Sequence, residues 1–115
     1  MVLTNDSNNM IQPENIAELV AHTFKVDEQD LYRRGQHQPL CFARQVAMTL
    51  TYRFTMNSTL SRTGLIYGGL HHSSVSHAIY TVAKLRKENK QIDKAITNIE
   101  TKCKTIITKL IESRS

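Results

Sequence analysis

Between His71 and His77 the chain carries three histidines and three serines in seven residues, directly after the pair Gly68–Gly69. Imidazoles and hydroxyls at this density could ligate a metal, build a nucleophile, cradle a phosphate or touch DNA. A metal site fits poorly. On a helix, His71 and His72 diverge by about 100°, and His72 and His77 are five apart where four would share a face. No HExxH occurs, and no cysteine or carboxylate lies nearby in sequence. Nucleotide-binding loops are also missing: there is neither GxxxxGK[ST] nor GxGxxG after a strand. A hydrolase elbow, GxSxG, is absent, and a small helical domain offers little pocket. The chain is therefore read as a non-enzyme with no metal and no cofactor.

The remaining chemistry is recognition. The first turn of a helix has free N–H groups and the positive end of its dipole. His71, His72, Ser73 and Ser74 would stand there as base-contact candidates in a DNA major groove. The plainer alternative is that Ser73 or Ser74 only caps the helix.

Such a cluster needs elements to position it. Pro13 and Glu14 suit a helix start, and Ile16, Leu19, Val20 and Phe24 form one stripe, so a helix is expected over about 13–23. A short helix follows at about 27–31, then the polar loop RRGQHQP. A central helix is expected from Leu40 to Phe54, with Cys41, Val46, Ala47, Leu50 and Phe54 inward and Arg44 and Arg53 off that stripe. A short helix over 59–66, capped by Ser58 or Thr59, leads to the turn at Gly68 and Gly69. The next helix starts near His72 or Ser73, with Val75, Ala78, Ile79, Val82 and Leu85 inward and Lys84, Arg86 and Lys87 suiting the dipole at its end. Short helix, tight turn and polar-tipped second helix form a helix-turn-helix pattern. Ile92, Ile96, Ile99, Cys103, Ile106 and Leu110 are then spaced 4, 3, 4, 3, 4. This seam covers either the chain's own core or a second copy, as a homodimer through Ile92, Ile96, Ile99, Ile106 and Leu110. The expected architecture is all-α: residues 1–10 a disordered tail, 11–89 the helix-turn-helix domain, and 90–115 a helical extension.

The charge distribution agrees with a polyanion partner. Residues 31–88 hold eight Arg and Lys against Glu88 alone, whereas residues 1–30 hold six acidic residues against Lys25. Two distant cysteines, Cys41 and Cys103, suit a reducing cytoplasm, and no stretch has the length and apolarity of a membrane span. At 115 residues the chain fits one domain.

At three places the sequence resembles the C-terminal DNA-binding domain of bacterial replication initiators, the DnaA family. ARQVAM at 43–48 is similar to the start of that domain's central helix, and TLSRTG at 59–64 to the first helix of its helix-turn-helix. YGGLHHSSVSHAI at 67–79 resembles the signature FGGRDHTTVxHA. The likeness runs over about 13–93. It implies a Trp-repressor-like all-helical fold that binds short duplex boxes in replication origins, in the bacterial cytoplasm at the nucleoid.

Carried over by position, the resemblance places the signature's readers on His71, His72, Ser73 and Ser74. Only His72 is identical; His71 replaces a carboxylate, the serines replace threonines, and Leu70 replaces an arginine. The family's minor-groove arginine falls at Phe42, while its next arginine is kept as Arg44, and Thr63 stands where a buried isoleucine is expected. Arg33, Arg34, Arg44, Ser61 and Arg62 are the phosphate-contact candidates. The expectation is DNA binding with altered box preference, by a self-contained small protein lacking the initiator's ATPase. It would regulate replication initiation or transcription. The alternative is an interaction module that has lost DNA and binds a protein such as the full-length initiator.

Overall fold

The computed structural model describes residues 11–35 and 37–113, and within these every regular element is a helix. The expected tail at 1–10 lies outside them. Helix α1 spans Pro13–Phe24. Proline's fixed φ and missing N–H suit this first position, and Asn15 Oδ1 accepts from the Gln12 amide at 3.0 Å. Its buried face is Ile16, Ala17, Val20 and Ala21; Leu19 and Phe24 sit at its margin. Helix α2, Glu28–Leu31, is capped by Asp27, whose carboxylate accepts from the Gln29 amide.

Helix α3, Leu40–Phe54, packs against every other helix. It buries Leu40, Ala43, Val46, Ala47, Met48 and Leu50, while Cys41 and Phe54, expected inward, are half-buried. Arg44 overturns its expected place as an outward charge. It is 5% exposed. Its Nε donates to the Leu31 carbonyl at 3.2 Å, Nη1 to Gly35 at 2.6 Å, and Nη2 to Asp30 at 3.0 Å and to Arg33. With these donors occupied and the side chain buried, Arg44 is a clamp on the loop before α3 rather than a phosphate contact. Burial lowers its pKa, with Cys41 and Asp30 opposing.

Helix α4, Leu60–Ile66, and helix α5, His72–Glu88, form the helix-turn-helix. Between them Tyr67 is fully buried; its hydroxyl lies 2.8 Å from Thr51 Oγ1, and its ring stacks on Tyr32. Thr63 is also fully buried, and its Oγ1 has no hydrogen-bond partner among the described residues.

Asn89 ends α5 and caps helix α6, Lys90–Glu112, accepting from the amides of Gln91 and Ile92. The seam of α6 divides in two. Ile96, Ile99 and Cys103 are buried in the chain's own core, so Ile96 and Ile99 are not available to a second copy as the dimer reading required. Ile92, Ile106 and Leu110 are half-buried against the same core, and Ile111 is 50% exposed. The helix read as an extension thus shares the domain's core. Burial raises the Cys103 thiol to about 11.

Arg86 also has a different role from the expected dipole partner. It donates to Asp93 at 2.6 Å, to both Glu100 oxygens at 2.9 and 3.0 Å, and to Thr97 at 3.0 Å, and Arg53 from α3 pairs with Glu100 as well. One carboxylate therefore joins α3, α5 and α6. The Arg86 hydrogen bonds hold the Glu100 carboxyl below its ordinary range, against the opposing effect of burial.

These contacts have measurable consequences. Arg44→Met should destabilise the fold by roughly 3 kcal/mol, because several carbonyls lose their donor; an unchanged urea midpoint would contradict the clamp. Thr63→Val removes an unpaired buried hydroxyl and should stabilise by about 1 kcal/mol, seen as a higher melting temperature. Glu100 has a depressed folded-state pKa, so its contribution is complete above the unfolded carboxyl value of about 4.3 and is lost as pH falls. The stability gap between the native chain and Glu100→Gln should accordingly be flat above about pH 5.5 and narrow towards pH 3. Parallel acid limbs in the two melting series would refute that role.

Candidate nucleic-acid interface

The interface is assembled around the α4–α5 turn. Thr59 Oγ1 accepts from the Arg62 amide at 3.0 Å and starts α4. Five residues into α4, at Gly64, the chain comes back on itself. The Leu70 amide donates to the Gly64 carbonyl at 2.8 Å. A Cβ at Gly64 would lie 2.1 Å from the Leu70 carbonyl oxygen, so only glycine permits this approach. Gly68 and Gly69 have φ of 100° and 69°, the left-handed backbone expected for the turn. A Cβ at Gly68 would also press on the Arg33–Arg34 backbone at 3.3 Å.

Arg34 fastens the turn to the preceding loop. Its Nε donates to the Gly68 carbonyl at 3.0 Å and its Nη2 to Gly69 at 2.6 Å. These carbonyls are left exposed by the left-handed turn, and a guanidinium fork meets two of them at once.

The cap of α5 is His71, not Ser73 or Ser74. Its Nδ1 accepts from the Ser73 amide at 3.2 Å and lies 2.9 Å from Ser73 Oγ. The His71 and His72 rings lie against one another, 4.1 Å between centroids with their planes tilted by 35°. His71, His72, Ser73 and Ser74 are all exposed. Among the described residues no three His, Cys, Asp or Glu side chains converge as a metal site would need.

Of the expected residues, Arg34, Ser73 and Ser74 line one groove of about 540 Å³, where the loop before α3 faces the start of α5. Gln45 and His77 complete its polar side, and Arg44 backs it from within. Arg33 is exposed beside it, with Asp30 at 3.7 Å. Ser61 and Arg62 are exposed at the start of α4 but stand apart from this groove. Arg62 lines another depression, together with Glu14 and Glu28.

Further exposed residues escaped the sequence reading. From Ser73, already a base-contact candidate, His77, Tyr80, Lys84 and Lys87 follow along α5 at spacings of 4, 3, 4 and 3, all of them exposed. They form the outward stripe of the helix, and Tyr80 is 65% exposed despite its size. The signal was present as the complement of the buried stripe Val75, Ala78 and Val82.

The arrangement can thus present a polar helix tip, a groove edged by cations and an outward stripe ending in lysines. No helix among the described residues is long and apolar enough to cross a membrane. Comparison with known proteins agrees with this architecture. The family model for the bacterial dnaA protein helix-turn-helix matches residues 13–82. The chain is 33% identical over 103 residues to the chromosomal replication initiator protein DnaA of Leifsonia xyli, covering 90% of this chain and 22% of that protein. It is 32% identical over 103 residues to that of Clavibacter sepedonicus, covering 90% and 21%, and 31% identical over 94 residues to that of Bordetella pertussis, covering 82% and 20%. The chain spans about a fifth of the length of these relatives. With the family model matching more than half of the chain, and the turn glycines and α4–α5 pair in place within it, this chain belongs to the bacterial DnaA helix-turn-helix family.

Proposed function

We propose that this chain binds double-stranded DNA, with the start of α5 in the major groove. The observation that carries the reading is the exposed quartet His71–Ser74 at the tip of α5, next to the groove that Arg34 borders. Amide and side-chain donors at a helix tip suit base edges and phosphates. Arg33 and Arg62 are exposed and suit phosphate contacts. Arg34 has a double part, since its guanidinium also holds the turn.

The base preference is expected to differ from that of an initiator box, because the polar groups at the tip differ from the signature. His71 replaces an acceptor carboxylate, and Leu70 replaces a cation. A role in regulating replication initiation or transcription follows from such binding, at the nucleoid of a bacterial cytoplasm. A second reading is an interaction module for another protein, the full-length initiator among them. It is favoured by exposed apolar side chains: Leu65 on α4 is 72% exposed and Ile111 on α6 is 50% exposed.

Titration of a fluorescent random duplex at several salt concentrations separates the two. The DNA reading expects binding that weakens steeply with salt. Arg33→Ala and Arg62→Ala should each weaken binding to every sequence and reduce the log–log salt slope by about 0.9, with melting temperature unchanged. Absence of wild-type binding at low salt would reject the DNA reading in favour of the interaction module.

A further inference from the structure

We infer that His71 is a specificity-determining hydrogen-bond donor that disfavours cytosine at the base it faces, its polarity fixed by the helix it caps. The inference rests on the DNA-binding reading above.

The argument starts from a group whose role is not adjustable. A backbone amide can only donate, and the Ser73 amide lies 3.2 Å from His71 Nδ1. Nδ1 therefore carries a lone pair. The Ser73 hydroxyl, 2.9 Å from the same nitrogen, can share that lone pair as a second donor. A neutral imidazole has one N–H, and with Nδ1 accepting, that hydrogen is on Nε2. Moving the proton to Nδ1 would set N–H against N–H and remove the cap. Nε2 has no hydrogen-bond partner among the described residues, and the side chain is exposed. The ring of His72 lies beside it, 4.1 Å between centroids and tilted by 35°.

His71 thus offers a donor outward and an acceptor inward. In the major groove, guanine presents N7 and O6 as acceptors, adenine N7 and thymine O4; cytosine presents only its N4 amino group, a donor. A donor facing a donor leaves both unpaired, so cytosine is the base this position disfavours. A carboxylate at the same place would cap equally well while turning an acceptor outward, which cytosine's amino group satisfies.

The test separates reading from capping. Asp and Asn are both strong N-caps. With one oxygen capping, His71→Asp leaves an acceptor outward, whereas His71→Asn leaves an amide NH2 donor. The wild type and both variants would select from a random duplex pool, with sequencing of the bound fraction and thermal melts to confirm folding. Wild type and His71→Asn should deplete cytosine roughly tenfold at one shared position, and His71→Asp should enrich it there by a similar factor. Enriched motifs that are identical in all three proteins would overturn the assignment of His71 while leaving DNA binding intact. His71→Asn following His71→Asp would overturn it too, since the cap and not the polarity would then be responsible. Failure of all three to bind at low salt would overturn both this inference and the reading on which it rests.

Discussion

A guanidinium buried among neutral carbonyls organises the recognition end of this domain. Arg44 gathers the carbonyls of Asp30, Leu31, Arg33 and Gly35, which gives a short irregular loop one defined path across the start of α3. Backbone carbonyls inside a loop have no ladder to join, and burying them unpaired would be unfavourable. One planar side chain with five donors supplies what a strand would have supplied. Because that loop is held, Arg34 stands where it can bind the Gly68 and Gly69 carbonyls. The orientation of the α5 tip therefore depends on a cation that is itself almost wholly buried.

The turn itself is governed by space rather than charge. Gly64 admits the Leu70 carbonyl at a distance no side chain would allow, and Gly68 and Gly69 take the left-handed backbone that follows. Such constraints act on geometry alone, so they leave the exposed residues at the tip free to vary. That is the pattern here: the turn retains its glycines, while the exposed tip carries His71, Ser73 and Ser74 where the signature has other polar groups. The hydroxyl of Tyr67 shows the same economy of change in the core, since Thr51 provides its partner. Thr63 lacks that compensation.

Away from the tip, α6 is held by two interactions of different kind. Ile96, Ile99 and Cys103 fill the core, and the Arg53–Glu100–Arg86–Asp93 cluster ties three helices at its rim. The cationic side chains of this cluster are matched by carboxylates. Near the α5 tip and along its outward face, positive charge is carried by Arg33, Arg34, Arg62 and the lysines of α5, which are exposed, and the lysines of α6 add further exposed charge.

Helix positions were legible from the sequence alone because their causes are local. Apolar spacing, Pro13 at a helix start and two glycines after a short helix act within a few residues, and the boundaries of α3 and α5 follow them closely. The outward quartet His71–Ser74 was legible for the same reason. Four matters were decided only by tertiary structure. Arg44 turned inward because a loop some ten residues away needed donors. Arg34 became a turn clamp across 34 residues of sequence. Gly64 is required by a carbonyl from the far side of the turn. The isoleucine seam has one period whether it packs in cis or between chains, and only the assembled core showed that Ile96 and Ile99 are occupied within the chain. Local patterns specify which face of a helix is apolar; they carry no information about which surface it meets.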